Sequence, residues 1–187
     1  MNFTEYTVND KNLEEILLAL KSLDAVEAVA LGGSRSTGEA DENSDYDIYV
    51  YCSEIPTGKT RENLLGKYCS VAEFGNHYWE SEDNTVMNNG TPVDIIYREI
   101  DRFSGYIDTV IKGGKAFNGY TTAFWHNIRN SKVLFDKTGT FTKFRDMVQI
   151  DFPENLRRAI IKNNRSLLSG KLPSYLSLIH ISEPTRH

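Results

Sequence analysis

The sequence predicts an α/β (α+β) chain: strands and helices interleave up to about residue 100, and a helical region follows. Three observations carry this. Short apolar runs, Val26 to Leu31, Ile48 to Cys52 and Val93 to Ile96, are bounded by Gly, Pro or Asp and have the length of strands. Ahead of the first, Leu13, Ile16, Leu17 and Leu20 recur at helical spacing. After Tyr97, Phe103, Tyr106, Ile107 and Val110 fall at i, i+3, i+4 and i+7, the stripe of an amphipathic helix.

Taken in order, Asn9 or Asp10 is placed to cap the first helix, with Glu14, Glu15 and Lys21 on its outer side. Val26 to Leu31 is the first strand. Gly32 and Gly33 end it with backbone angles that a Cβ would forbid. Ser34 to Gly38 begins a short helix, Asp41 to Ser44 is a polar loop, and Asp45 to Ser53 is the second strand. Pro56-Thr57-Gly58 breaks the chain before a helix over Thr60 to Tyr68, and Val71 to Phe74 is extended. Val86-Met87, the turn Asn88-Asn89-Gly90 and Val93 to Arg98 form a hairpin, with Pro92 at the one place a strand tolerates it. If the strand at Val93 lies beside the second strand, Asp94 faces Asp45 and Asp47. Further on, helices are expected over Ile100 to Lys112, Thr121 to Arg129, Thr140 to Gln149 and from Pro153 to near Gly170, with a short extended piece at Val133 to Asp136. Three regions result: a core over 1–100, a helical region over 101–175, and a tail over 176–187.

Composition excludes several classes. The chain has 187 residues, 40% hydrophobic and 25% charged, with net charge −5, which fits a soluble globular protein and disfavours sequence-independent nucleic-acid binding. No apolar stretch is long enough to span a membrane, and the N-terminus lacks the basic and apolar parts of a signal peptide. Cys52 and Cys69 make no disulfide framework, and Cys52 reads as a core residue. A cytoplasmic protein is expected. His77 and His126 lie among aromatic residues and read as structural.

Chemistry concentrates between Leu31 and Val50. Gly33, Ser34 and Arg35 follow a strand and open a helix, which suits a phosphate. Asp45 and Asp47 are two apart at the start of a strand, so their side chains share a face. Two carboxylates on one face repel unless a cation lies between them, and hard oxygen ligands suit Mg²⁺. Other metal and phosphate classes fail on spacing. Read as a Ca²⁺ loop from Asp41, position six is Tyr46 where Gly is needed and position twelve is Cys52 where Glu is needed. In an aspartate-nucleophile phosphatase the pair follows the strand, whereas here it precedes it. No Walker-type phosphate loop occurs.

Gly33-Ser34, the ten residues Arg35 to Ser44, then Asp45-x-Asp47 entering an apolar strand resemble the DNA polymerase β-like nucleotidyltransferase superfamily, in particular its small bacterial aminoglycoside-type and minimal members. Asp94, in Pro92-Val93-Asp94-Ile95, matches the family's third carboxylate. The resemblance implies a mixed sheet flanked by helices. It implies Asp45, Asp47 and Asp94 as catalytic metal ligands for two Mg²⁺ ions, with Gly33, Ser34 and Arg35 at the nucleotide. It also implies transfer of a nucleoside monophosphate from a triphosphate, with ATP as the expected donor, to a hydroxyl of a small molecule or protein, releasing pyrophosphate. Modification of a cognate toxin is one such use. The alternative is a non-catalytic binding or antitoxin protein that keeps the fold; three retained, mutually repelling acids weigh against it. Aromatic residues Phe103, Tyr106, Phe117, Tyr120, Phe124 and Trp125 are expected to line one wall of an acceptor cleft. The tail Leu176 to Arg186, LSLIHISEPTR, resembles a translated sequencing-library adapter, which implies a non-native end and a truncated helical region.

Overall fold

Asp10 fixes where the first helix begins: its carboxylate accepts from the backbone N–H groups of Asn12 and Leu13, and α1 runs Lys11–Lys21. In the computed structural model, which describes residues 6–117 and 121–165, the order continues β1 (Val26–Leu31), α2 (Gly33–Thr37), β2 (Tyr46–Cys52), α3 (Gly58–Leu65), β3 (Cys69–Asn76), β4 (Ser81–Met87) and β5 (Pro92–Glu99). It ends with α4 (Ile100–Ile111), α5 (Ala123–Asn130), β6 (Lys132–Asp136) and α6 (Thr140–Val148), and residues 154–165 are also helical. The tail at 176–187 and the expected helix end near Gly170 lie outside the described residues. No helix among the described residues is long and apolar enough to cross a membrane.

The strands form one six-stranded sheet in the order β3-β4-β5-β2-β1-β6. It is mixed: β2 and β5 are parallel, and every other neighbouring pair is antiparallel. Alternation along β2 and β5 divides the sheet into two faces. Ile48, Val50, Val93 and Ile95 face a core that includes Leu13, Ile16, Leu20 and Leu65 from α1 and α3, all fully buried. Each such aliphatic side chain contributes about 1.5–3 kcal/mol by leaving water. The opposite face carries Asp47, Tyr49 and Tyr51 from β2, and Asp94, Ile96 and Arg98 from β5.

Among the described residues two compact units are present: residues 6–106 with 124–150, and residues 107–117 and 121–123 with 151–165. The first holds the whole sheet. The piece at Val133 to Asp136, expected to be extended, is β6, an edge strand paired with β1 from Ala28↔Asp136 to Leu31↔Lys132. Of the aromatic residues expected in a cleft wall, three lie in the core, while Tyr106 and Phe117 are half-buried. Phe103, Phe124 and Trp125 are only 7%, 4% and 5% exposed. Phe103 packs edge-on against Phe144 at 5.2 Å and Phe124 at 6.2 Å, and lies 5.7 Å from Tyr51. Tyr120 lies outside the described residues. His77 and His126 are both exposed.

β3 and β4 are longer than their sequence suggests. β3 is the other edge strand, with Val71 and Glu73 exposed, so it shows no apolar alternation. β4 begins at Ser81 and buries a charge: Asp83 is 0% exposed and faces Arg61, itself 2% exposed, at 3.2 Å.

Candidate active site

β1 leads into the site through Gly32, whose N–H donates to the Asp47 carbonyl at 2.8 Å. Gly33 then takes φ of 60°, in the left-handed region. A Cβ built at Gly33 would fall 1.8 Å from Oδ2 of Asp47 and 2.8 Å from its Cγ. The Asp47 carboxylate therefore lies directly on the glycine turn, and only glycine leaves room for it. Ser34 follows as the second residue of α2 and is half-buried. Gly33→Ala is expected to cost both strain and function, since the methyl must displace Asp47. Stability falls by about 1–3 kcal/mol in a urea melt, and activity is lost together with divalent-cation binding.

Asp47 pairs with Asp94 in the parallel β2–β5 register. Paired residues on neighbouring strands share a face about 4.8 Å apart, so the two carboxylates confront each other. Asp45 sits one residue before β2, half-buried at the end of the polar loop. Burial, then repulsion from Asp45 and Asp94, pushes the Asp47 carboxyl up to about 6. Asn84, opposite Asp94 in the β4–β5 pairing, donates to Asp94 Oδ1 at 2.9 Å.

Arg35 is tied to the loop that precedes β2. Its Nε donates to the carbonyls of Ser44 at 3.1 Å and Asp45 at 2.9 Å, and its Nη2 also donates to Ser44. The guanidinium lies over the Tyr46 ring, 4.1 Å from the centroid. In the structure Arg35 fastens the loop that presents Asp45. The cation beside the glycine turn is Lys132, whose Nζ donates to the Arg35 carbonyl at 3.2 Å and sits 4.4 Å from the Tyr6 ring. Sequence reading missed Lys132 because β6 was not recognised as the neighbour of β1. Asn84 was missed because its strand was read only from Val86.

The three aspartates are brought to one region of one face but not into a common ligand set. Among the described residues, no group of three or more His, Cys, Asp or Glu side chains is close enough to hold a metal ion. The donor chemistry nevertheless fits a hard divalent cation: the acids supply oxygens only, and burial together with repulsion from Asp45 and Asp94 raises the Asp47 carboxyl.

The raised Asp47 has a pH consequence. Its folded value, about 6, exceeds its unfolded value, 3.8, so the ionised group opposes folding. That opposition is complete above about pH 6 and gone below about pH 4. Without divalent cation, Asp47→Asn is therefore expected to melt a few degrees above the wild-type chain at pH 7.5. The gain corresponds to about 1–2 kcal/mol after allowance for partial exposure. The two should melt together at pH 4. A constant difference across that range would contradict the assignment.

The family model described as nucleotidyltransferase domain matches residues 13–117. Among curated proteins none matches. A solved structure of a toxin–antitoxin with AMP-PNP is 15% identical, covering 91% of this chain and 99% of that one, with a TM-score of 0.44. A mutant of the toxin–antitoxin MntA-HpeT is 13% identical over the same shares, with a TM-score of 0.42.

Proposed function

This chain belongs to the nucleotidyltransferase domain family, and from that premise we propose that it moves a nucleoside monophosphate from ATP to a hydroxyl of a small molecule or protein, in the manner of the family's minimal bacterial members. The observation that supports this most is the confrontation of Asp47 with Asp94 on one sheet face, against a turn where Gly33 alone admits the Asp47 carboxylate.

Asp45 and Asp47 would hold one Mg²⁺ and Asp94 would share a second, ions that neutralise triphosphate charge and lower the pKa of the acceptor hydroxyl. The remaining work falls to the chain. Gly33 and Ser34 offer the start of α2 to the β- and γ-phosphates, with Lys132 adding a positive charge beside that turn. Arg35, through the Ser44 and Asp45 carbonyls, keeps Asp45 at the mouth of β2. The acceptor oxygen bonds to the α-phosphorus, and its proton passes to the Asp94 carboxylate. The bond from the α-phosphorus to the bridging oxygen breaks, and pyrophosphate carries away the electron pair. The acidic chain suits a small or cationic acceptor over a nucleic acid, and two free thiols suit the cytoplasm.

Incubation with each α-labelled triphosphate, Mg²⁺ and a panel of aminoglycosides, other small alcohols and candidate partner proteins tests the reading. Label should move to one acceptor class, with ATP the preferred donor, and Asp94→Asn should abolish transfer. Absence of transfer to every acceptor, alongside tight binding of an unmodified partner protein, would favour the non-catalytic alternative.

A further inference from the structure

The strand between β3 and β5 carries residues a strand does not favour. Glu82, Asp83 and Asn84 are consecutive on β4, although Asn and Asp are depleted in strands. Asp83 is accounted for by Arg61. Asn84 is not, unless its partners are followed outward. Its Nδ2 donates to Asp94 Oδ1 at 2.9 Å, and its Oδ1 accepts from Asn76 Nδ2 at 2.8 Å. Asn76 Nδ2 also lies 3.3 Å from Glu73 Oε2. The polarity of this chain is fixed at both ends. A carboxylate can only accept, so Asn84 must turn its amide nitrogen to Asp94 and its oxygen to Asn76, which in turn must present its own nitrogen.

We propose that Asn84, oriented by Asn76, is a positioning residue that engages one oxygen of Asp94 and so fixes the other toward the reacting centre. The proposal rests on the functional reading above and adds β3 and β4 to the machinery. Asp94 stands among like charges: Asp47 opposite it on β2, Asp45 before that strand, and Glu82 on β4 two residues from Asn84. An amide donor offsets that repulsion without competing for a cation, which a lysine or arginine would do. Asn84 acts at the carboxylate that handles the acceptor and leaves the phosphate turn at Gly33 untouched, so its loss should appear in kcat.

Steady-state kinetics of Asn84→Ala and the isosteric Asn84→Asp should show kcat lowered by about 10–100-fold, with triphosphate KM changed less than about threefold. Asn76→Asp provides the sharper test. It places an acceptor against the Asn84 oxygen and favours turning that amide over, so that an oxygen faces Asp94. A loss of kcat as large as that of Asn84→Ala, from a residue that does not touch Asp94, supports the relay; kcat within twofold of wild type for Asn84→Ala overturns it. If the wild-type chain transfers no nucleotide, the functional reading falls. The positioning role is then decided by calorimetry with Mn²⁺ alone. Binding about tenfold tighter to wild type than to Asn84→Ala supports it, and equal or absent binding in both overturns it.

Discussion

Asp47→Asn is expected to lower nucleotidyl transfer by at least about 10³-fold, an effect of about 4 kcal/mol on the barrier. The substitution preserves the side chain's shape against Gly33, so the turn keeps its backbone. It removes the charge that Asp45 and Asp94 now repel. Activity and stability therefore move in opposite directions: transfer disappears, while the cation-free protein melts higher at neutral pH. Such opposition marks a site that holds like charges together for a purpose other than folding. Initial rates and cation-free melting curves on one preparation check both. A transfer rate within tenfold of wild type would remove Asp47 from the chemistry.

The largest effect on stability is expected at Asp83. Its carboxylate is fully buried, accepts from the Gly75 N–H at 2.8 Å, and lies 3.2 Å from Nη1 of Arg61. The Arg61 guanidinium also stacks 4.4 Å from the centre of the Tyr97 ring. Asp83→Ala strands a buried positive charge and empties part of the layer between α3 and the sheet. A loss of about 3–5 kcal/mol follows, or roughly ten degrees of melting temperature. The double substitution Asp83→Leu with Arg61→Leu should recover most of it, because the cost lies in the unpaired charge more than in the lost attraction. Urea unfolding of the two variants measures this. An Asp83→Ala loss below about 1 kcal/mol would mean that Arg61 finds water on its own.

What could be read from the sequence was what local pattern specifies. β1, β2 and β5 are apolar runs closed by turn residues. The acids of β2 and β5 follow from period-two alternation once those strands are neighbours. The rest depends on pairings distant in sequence. β4 was legible only at Val86 and Met87 because its buried positions include Asp83 and Thr85, satisfied by Arg61 and by the Val93 carbonyl. β3 hides because, as an edge strand, it leaves most of its side chains in water. β6 looked like a fragment within helices because its partner, β1, lies about a hundred residues earlier. The tie from Arg35 to the carbonyls of Ser44 and Asp45 was not legible, because it closes a loop whose path local pattern does not specify. The buried aromatics of α4 and α5 carry the same amphipathic pattern whether they meet a cleft or a sheet, and here they meet Tyr51 and Phe144.

In the proposed reaction, this face of the sheet breaks a triphosphate between its α- and β-phosphates and keeps the nucleotide. Parallel reactions with α-labelled and γ-labelled ATP, Mg²⁺ and the accepting molecule test it most directly. The α label should appear in the acceptor and the γ label in pyrophosphate, in equal amounts, and both should vanish in Asp47→Asn. Transfer of the γ label to the acceptor, or its release as inorganic phosphate with the α label left in ADP, would rule out nucleotidyl transfer.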